Sequence, residues 1–295
     1  VSAADESHFQ VLQRPVLHQP VLVVALEGWV DAGLGASTAT TTLLGTGPTE
    51  ALVSFDPEHY LDQRARRPMA RIVNGVTTEL TWPGTEIRRG HDEAGLDVLY
   101  LVGPEPDFHW RRFCQSVVDL AHGWGVRLVV GLGAFPAPAP HTRPVKLAAT
   151  APPESAHLIS QVGVVQGELE VPAGAMAALE LAFGQAGIDA VSLWARVPHY
   201  VAAMPFPEAS AALVDGLAAV GALSFSTAGL RSSADRARRQ VDDLIAGNTE
   251  HLAMVRKLEE SIDASEGNPL GLEEVPSADE LAAELERFLR GQDPE

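Results

Sequence analysis

The run Val21–Gly35, VLVVALEGWVDAGLG, constrains this chain more than any other segment. Six apolar residues, half of them valines, stop at Glu27-Gly28. Asp31, Gly33 and Gly35 follow, and then a helical pattern opens. This order reads as a buried strand, a tight loop and a helix N-terminus. In an open α/β sheet, that is where ligands sit, beyond the carboxyl ends of the strands.

The rest of the first 225 residues repeats the theme. Strands are expected at Val21–Leu26, Ala51–Phe55, Val76–Trp82, Val98–Val102, Val126–Leu132 and Ile188–Ala195. Helices are expected at Leu34–Leu44, Phe108–Trp124, Ala173–Ala186 and Glu208–Gly221. Such alternation points to an α/β fold with a mainly parallel sheet and helices on both faces. After Arg127, Val126–Leu132 is almost unbroken apolar, as a strand buried on both sides requires. Val76–Trp82 and Glu86–Arg89 instead alternate around Pro83-Gly84, which suits an antiparallel hairpin near an edge.

The pattern changes near Gly229, so the chain divides into a domain over 16–228 and a helical extension over 229–295. From Leu230 to Ile262 a charged amphipathic helix is expected, with Val241, Leu244, Ile245, Leu252, Val255, Leu258 and Ile262 on one stripe. Arg231, Arg236, Arg238 and Arg239 are matched against Asp242, Asp243, Glu259 and Glu260. A final helix starts at Ser277, which with Glu280 forms an S-x-x-E capping box. The two helices together read as a hairpin packed on the domain or exchanged between subunits, or else as an arm that docks a partner.

Composition narrows the function classes. The net charge of −18 argues against a nucleic-acid binder, since neutralising phosphates takes clustered Lys and Arg. No apolar run reaches the roughly 20 residues of a membrane span, and the first ten residues lack the features of a secretory signal. One cysteine, Cys114, permits no intrachain disulfide, and no spacing suggests a metal site. The expectation is a cytoplasmic protein with no cofactor and no metal.

Three motifs follow predicted strands. Gly28 and Gly33 have the separation of a phosphate loop, but Leu34 stands where its lysine belongs. Asp31 would repel a phosphate and serves equally as a helix cap. Pro140-His141-Thr142-Arg143-Pro144 offers a proton carrier and an anion anchor on a stiff loop, or a rigid loop tied to its neighbours by hydrogen bonds. Val197-Pro198-His199-Tyr200 offers a second His and a phenol, or a packed interface. His141, His199 and Tyr200 are therefore candidate catalytic groups, and Asp31, Arg143 and Glu170 candidate ligand contacts. Glu170 is paired with Glu168 ahead of the helix entered at Pro172. If the three loops share one edge of the sheet, they line one cavity.

In these motifs, E-G-W-V-D-A-G, P-H-T-R-P and V-P-H-Y-V in that order, the chain resembles the proteasome assembly chaperone 2 family in its actinobacterial-type branch, over roughly 16–265. The resemblance implies a three-layer α/β/α sandwich similar to nucleoside phosphorylases. It also implies homo-oligomers, with a trimer as the candidate size, and protein partners such as proteasome subunits. The hydrophobic-Tyr-any tail by which chaperone relatives dock is absent from Gly291–Glu295. Two functions follow: an oligomeric assembly or interaction factor, or a phosphorylase- or hydrolase-like enzyme working at the sheet's C-terminal edge.

Overall fold

A computed structural model describes residues 8–28, 30–164 and 167–266. The expected final helix from Ser277 and the tail at Gly291–Glu295 lie outside them. An eight-stranded sheet forms the middle layer, in the order β1 (Phe9–Val11), β3 (Glu50–Phe55), β6 (Glu86–His91), β7 (Asp97–Pro104), β2 (Val21–Glu27), β8 (Leu128–Ala137), β10 (Ala190–Pro198) and β9 (Leu147–Thr150). The four central strands, β7, β2, β8 and β10, run parallel. The flanking strands pair antiparallel and close both edges.

Period-two alternation explains why helices cover both faces. On β2, Val21 and Val23 point to one core and Leu22 and Val24 to the other. The first core is filled by α1 (Gly35–Leu44) and α5 (Pro207–Gly221), the second by the short α2 (Pro57–Tyr60), α3 (Trp110–Gly123) and α4 (Ala175–Gln185). The fold is thus an α/β sandwich with a parallel centre and helical outer layers.

The hairpin expectation is corrected. Glu86–His91 lies inside the sheet between β3 and β7. Val76–Thr81 (β5) pairs instead with Met69–Val73 (β4) in a separate two-stranded ribbon. Its turn is Asn74-Gly75, with φ of 50° and 82°, the left-handed pair that a two-residue hairpin needs. Asn-Gly between apolar residues is a strong local hairpin signal, and it outweighs Pro83-Gly84.

The long helix expected over Leu230–Ile262 is two helices, α6 (Ala228–Ala246) and α7 (Thr249–Glu266), parted at Gly247-Asn248. Asn248 Oδ1 accepts from the backbone N–H of Glu250 and so opens the second helix. Val241, Ile245 and Val255 enter the core, whereas Leu244 is exposed. The charge pairing also differs from expectation. Arg231 pairs with Asp215 on α5, and Asp242 and Glu259 turn towards the domain.

Near β1, the rings of His8, His59 and His109 form a stack, with centroids 3.8 and 4.3 Å apart. Burial, then the neighbouring His8, His109 and Arg112, push the His59 imidazole below its ordinary value of 6.5. The unfolded chain therefore binds more protons than the folded one as pH falls below 6.5, and stability is lost in that direction. The expected result is a thermal midpoint that drops between pH 7.5 and 5.5. His59→Phe, which keeps the stacking but cannot be charged, should flatten the slope. An unchanged slope in that variant would remove the stack as its cause.

Candidate functional site

The loops named by the three motifs meet on the face covered by α1 and α5, and they meet closed. After β8 the Pro-rich bend delivers His141 into a site where its side chain is only 2% exposed. Tyr200 Oη accepts from the His141 backbone N–H at 2.8 Å and lies 2.7 Å from Nδ1. Since the phenol already accepts one hydrogen, its own O–H is directed at Nδ1. Nε2–H then donates to Asp242 Oδ1 on α6, 3.0 Å away. Burial pushes the Tyr200 phenol up to about 12, so it remains a donor.

The neighbours are engaged in the same way. Arg143 holds Asp263 on α7 through two parallel bonds, of 2.9 and 2.7 Å, and reaches Glu259 at 3.3 Å. Thr142 Oγ1 donates to Glu259, and Arg238 on α6 donates to the Thr142 carbonyl. His199 stands edge-on to Tyr200, with its Nδ1 buried and without a hydrogen-bond partner among the described residues. Asp31 is committed to α1. Its Oδ1 accepts from Ala36 N at 2.7 Å, and its Oδ2 accepts from Ser37 N and Ser37 Oγ at 3.0 and 2.6 Å. In place of the single open cavity expected, the loops form a joint, beside a recess of about 60 Å³ lined by Arg143, Pro144 and Pro198. His141, Tyr200 and His199 come together, Arg143 flanks them, and α6 and α7 close over the group with acids facing the HTRP loop.

Glu170 sits elsewhere. On the α4 side, the strand ends border a cleft of about 640 Å³. Glu170 is on its exposed rim, and Glu105, Thr150, Glu180 and Trp194 line it. Ser192 Oγ and Thr150 Oγ1 donate to Glu180 Oε2 at 2.5 and 3.0 Å, and Trp194 Nε1 donates to Thr150 Oγ1 at 3.2 Å. Burial raises the Glu180 carboxyl above the ordinary glutamate value, against the pull of the Ser192 and Thr150 hydrogen bonds. Sequence reasoning missed Glu180, Thr150 and Trp194. The usable signal was Gly131-x-Gly133 inside an apolar strand, because a strand glycine marks a close approach. A Cβ at Gly131 would collide with Met176 and Ser192, and one at Gly133 with the Trp194 ring.

Among the described residues, no group of three or more His, Cys, Asp or Glu side chains is placed to hold a metal ion. None of the described helices is long and apolar enough to cross a membrane.

A parallel-centred α/β sandwich whose strand-end loops are closed by a C-terminal helix pair defines the class of protein. The chain belongs to the PAC2 family, whose model matches residues 25–245. It is similar to a Mycobacterium tuberculosis protein of unknown function, at 32% identity and a TM-score of 0.81 over 88% of this chain and 92% of that one. It is also similar to a Mycobacterium tuberculosis proteasome-assembly chaperone homologue, at 36% identity and a TM-score of 0.73 over 80% and 99%. Pyrococcus furiosus PbaB, an archaeal proteasome activator, shares the fold at 16% identity and a TM-score of 0.61 over 80% and 97%. No curated protein matches the chain.

Proposed function

We propose that this PAC2 protein is an oligomeric assembly or interaction factor of the actinobacterial type, acting in the cytoplasm through protein–protein contacts. The β4–β5 ribbon carries this reading. Every residue of both strands is exposed, including Met69, Ile72, Val73, Val76 and Leu80, and Trp82 follows them. A two-stranded ribbon without a core is marginal in water. An apolar one projecting from a folded domain has the character of a docking arm.

Charge favours another copy of this chain as the occupant. Arg64 and Arg67 stand exposed just ahead of the ribbon, and Arg71 on β4 stands opposite Glu79 on β5, while the chain as a whole carries −18. An apolar arm with two arginines at its base, meeting an acidic surface elsewhere on a second copy, makes a head-to-tail contact, and such contacts form a ring such as a trimer when their rotation closes. The name of the chaperone homologue extends the reading to proteasome subunits as further partners. The enzyme reading uses His141 or His199 as acid/base and Arg143 as anion anchor; His141 and Arg143 already serve the joint with α6 and α7, which leaves that reading to His199.

Native mass spectrometry of the freshly purified protein tests the proposal, since it reports subunit number and retained partners together. The wild type should appear as an oligomer. The double variant Ile72→Glu, Val76→Glu should appear at monomer mass with an unchanged circular dichroism spectrum. A monomeric wild type at micromolar concentration, or an oligomer that survives the double substitution, would remove the ribbon from this role.

A further inference from the structure

The cleft on the α4 side has no part in the oligomer reading, and its chemistry is specific. It opens towards the carboxyl ends of the parallel strands, between Leu26 on β2, Glu105 after β7, Gly133 on β8 and Trp194 on β10. Ligands of open α/β sheets bind at this edge. Its volume of about 640 Å³ falls among small-molecule sites. Leu132, Met176 and Trp194 supply apolar walls, and Leu169, Val171 and Leu181 an exposed apolar mouth.

The charged groups all have one sign. Glu105, Glu170 and Glu180 line the cleft, and none of the described residues that line it is basic. The N-terminus of α4 would ordinarily attract an anion. Here Glu105 Oε2 already accepts from the Ala175 N–H at 2.8 Å, so the chain's own carboxylate fills that position. A phosphate or carboxylate ligand would meet only repulsion.

Glu180 gives the site its direction. Trp194 Nε1–H, Thr150 Oγ1–H and Ser192 Oγ–H form a donor chain that ends on Oε2 and fixes the carboxyl group. Its other oxygen, Oε1, accepts no hydrogen bond from a described residue. A carboxylate half-enclosed by apolar side chains and without a counter-ion costs stability, and such arrangements gather at functional sites. Gly131 and Gly133 make room for the Ser192, Met176 and Trp194 side chains that shape the floor.

We propose that this cleft binds an organic cation, an ammonium group on an apolar or aromatic body, with Glu180 as its counter-charge and Trp194 against its body. The aromatic face adds a cation–π attraction.

Isothermal titration calorimetry on the full chain tests this with three ammonium probes, tryptamine, phenethylamine and spermidine. Tryptophol and indole-3-acetate serve as the neutral and anionic counterparts of tryptamine. At least one ammonium probe should bind. Tryptamine should bind more tightly than tryptophol, and indole-3-acetate should not bind. Glu180→Gln preserves both acceptor bonds to Oε2 and should weaken the bound probe at least tenfold. Its thermal midpoint at pH 7 should equal or exceed that of the wild type. Glu170→Gln, on the exposed rim, should weaken the probe about threefold. The proposal is overturned if no ammonium probe binds or if tryptophol matches tryptamine. An unchanged affinity in a folded Glu180→Gln protein would overturn it equally.

Discussion

Gly33→Ala is expected to destabilise the protein by about 3 kcal/mol, the sum of about 1–2 for a left-handed alanine and about 1–3 for crowding a packed site. Gly33 has φ of 64°, where an L side chain is strained. A Cβ there would lie 2.7 Å from the Phe206 Cβ and 3.3 Å from Val197 Cγ1. Neither neighbour yields readily, because Gly33 is clamped by its backbone. Its N–H donates to the Ala202 carbonyl at 2.7 Å, and its carbonyl accepts from Phe206 N–H at 2.8 Å. Those two bonds join the EGWVDAG turn to the segment after His199-Tyr200. Two controls separate the contributions. Gly75→Ala, at φ 82° with nothing near its Cβ, should show the conformational cost alone. Gly47→Ala, in open space and without a positive φ, should be near neutral. Chemical denaturation of the three variants decides the point, and equal midpoints for Gly33→Ala and Gly47→Ala would refute the clamp.

That clamp shows what a reader of the sequence can and cannot see in this motif. The apolar run into Glu27 marked β2 correctly, and the run after Arg127 marked β8, because both strands are buried by their own composition. Helices α1, α3, α4 and α5 were likewise legible from their apolar periodicity. The strands missed were β1, β4 and β9, of three to five residues each. β1 and β9 take their hydrogen bonds from partners distant in sequence, whereas β4 pairs locally across Asn74-Gly75, a signal the sequence did carry. β9, for example, exists through its pairing of Leu147–Thr150 with Ser192–Ala195.

The candidate site was legible as a set of loops but not as a geometry. HTRP and PHY follow parallel strands, so their proximity at one edge of the sheet could be inferred. The helix pair that closes over them could not, because Asp242, Glu259 and Asp263 look in sequence like the solvated acids of an exposed face. Glu180 was hidden for the opposite reason. It lies in an apolar helix, AMAALELAFGQ, and only its tertiary neighbours Ser192 and Thr150 distinguish it from a surface glutamate.

His141→Ala provides the other large effect, an expected loss of about 3 kcal/mol. The substitution removes a buried ring that links two parts of the molecule. Tyr200 Oη loses its acceptor at 2.7 Å, and Asp242 loses the donor at 3.0 Å by which α6 is tied to the HTRP loop. Asp242 is half exposed and recovers hydrogen bonds from water, so most of the cost falls on the enclosed phenol and the cavity beside it. Tyr200→Phe should cost about 1–2 kcal/mol, since it leaves Nδ1 and the His141 backbone N–H without their partner. The double variant should cost less than the sum, as groups sharing one network do. Arg143→Ala should cost at most about 1 kcal/mol, because its pairs with Glu259 and Asp263 are solvent-accessible. Hydrogen exchange supplies the spatial readout. In His141→Ala, amides of residues 228–266 should exchange faster, while those of β2 and β7 at the centre of the sheet should keep their protection. If His141→Ala melts with the wild type and α6 stays protected, the ring is not part of the joint. His141 would then be available for the acid–base role that the enzyme reading gives it.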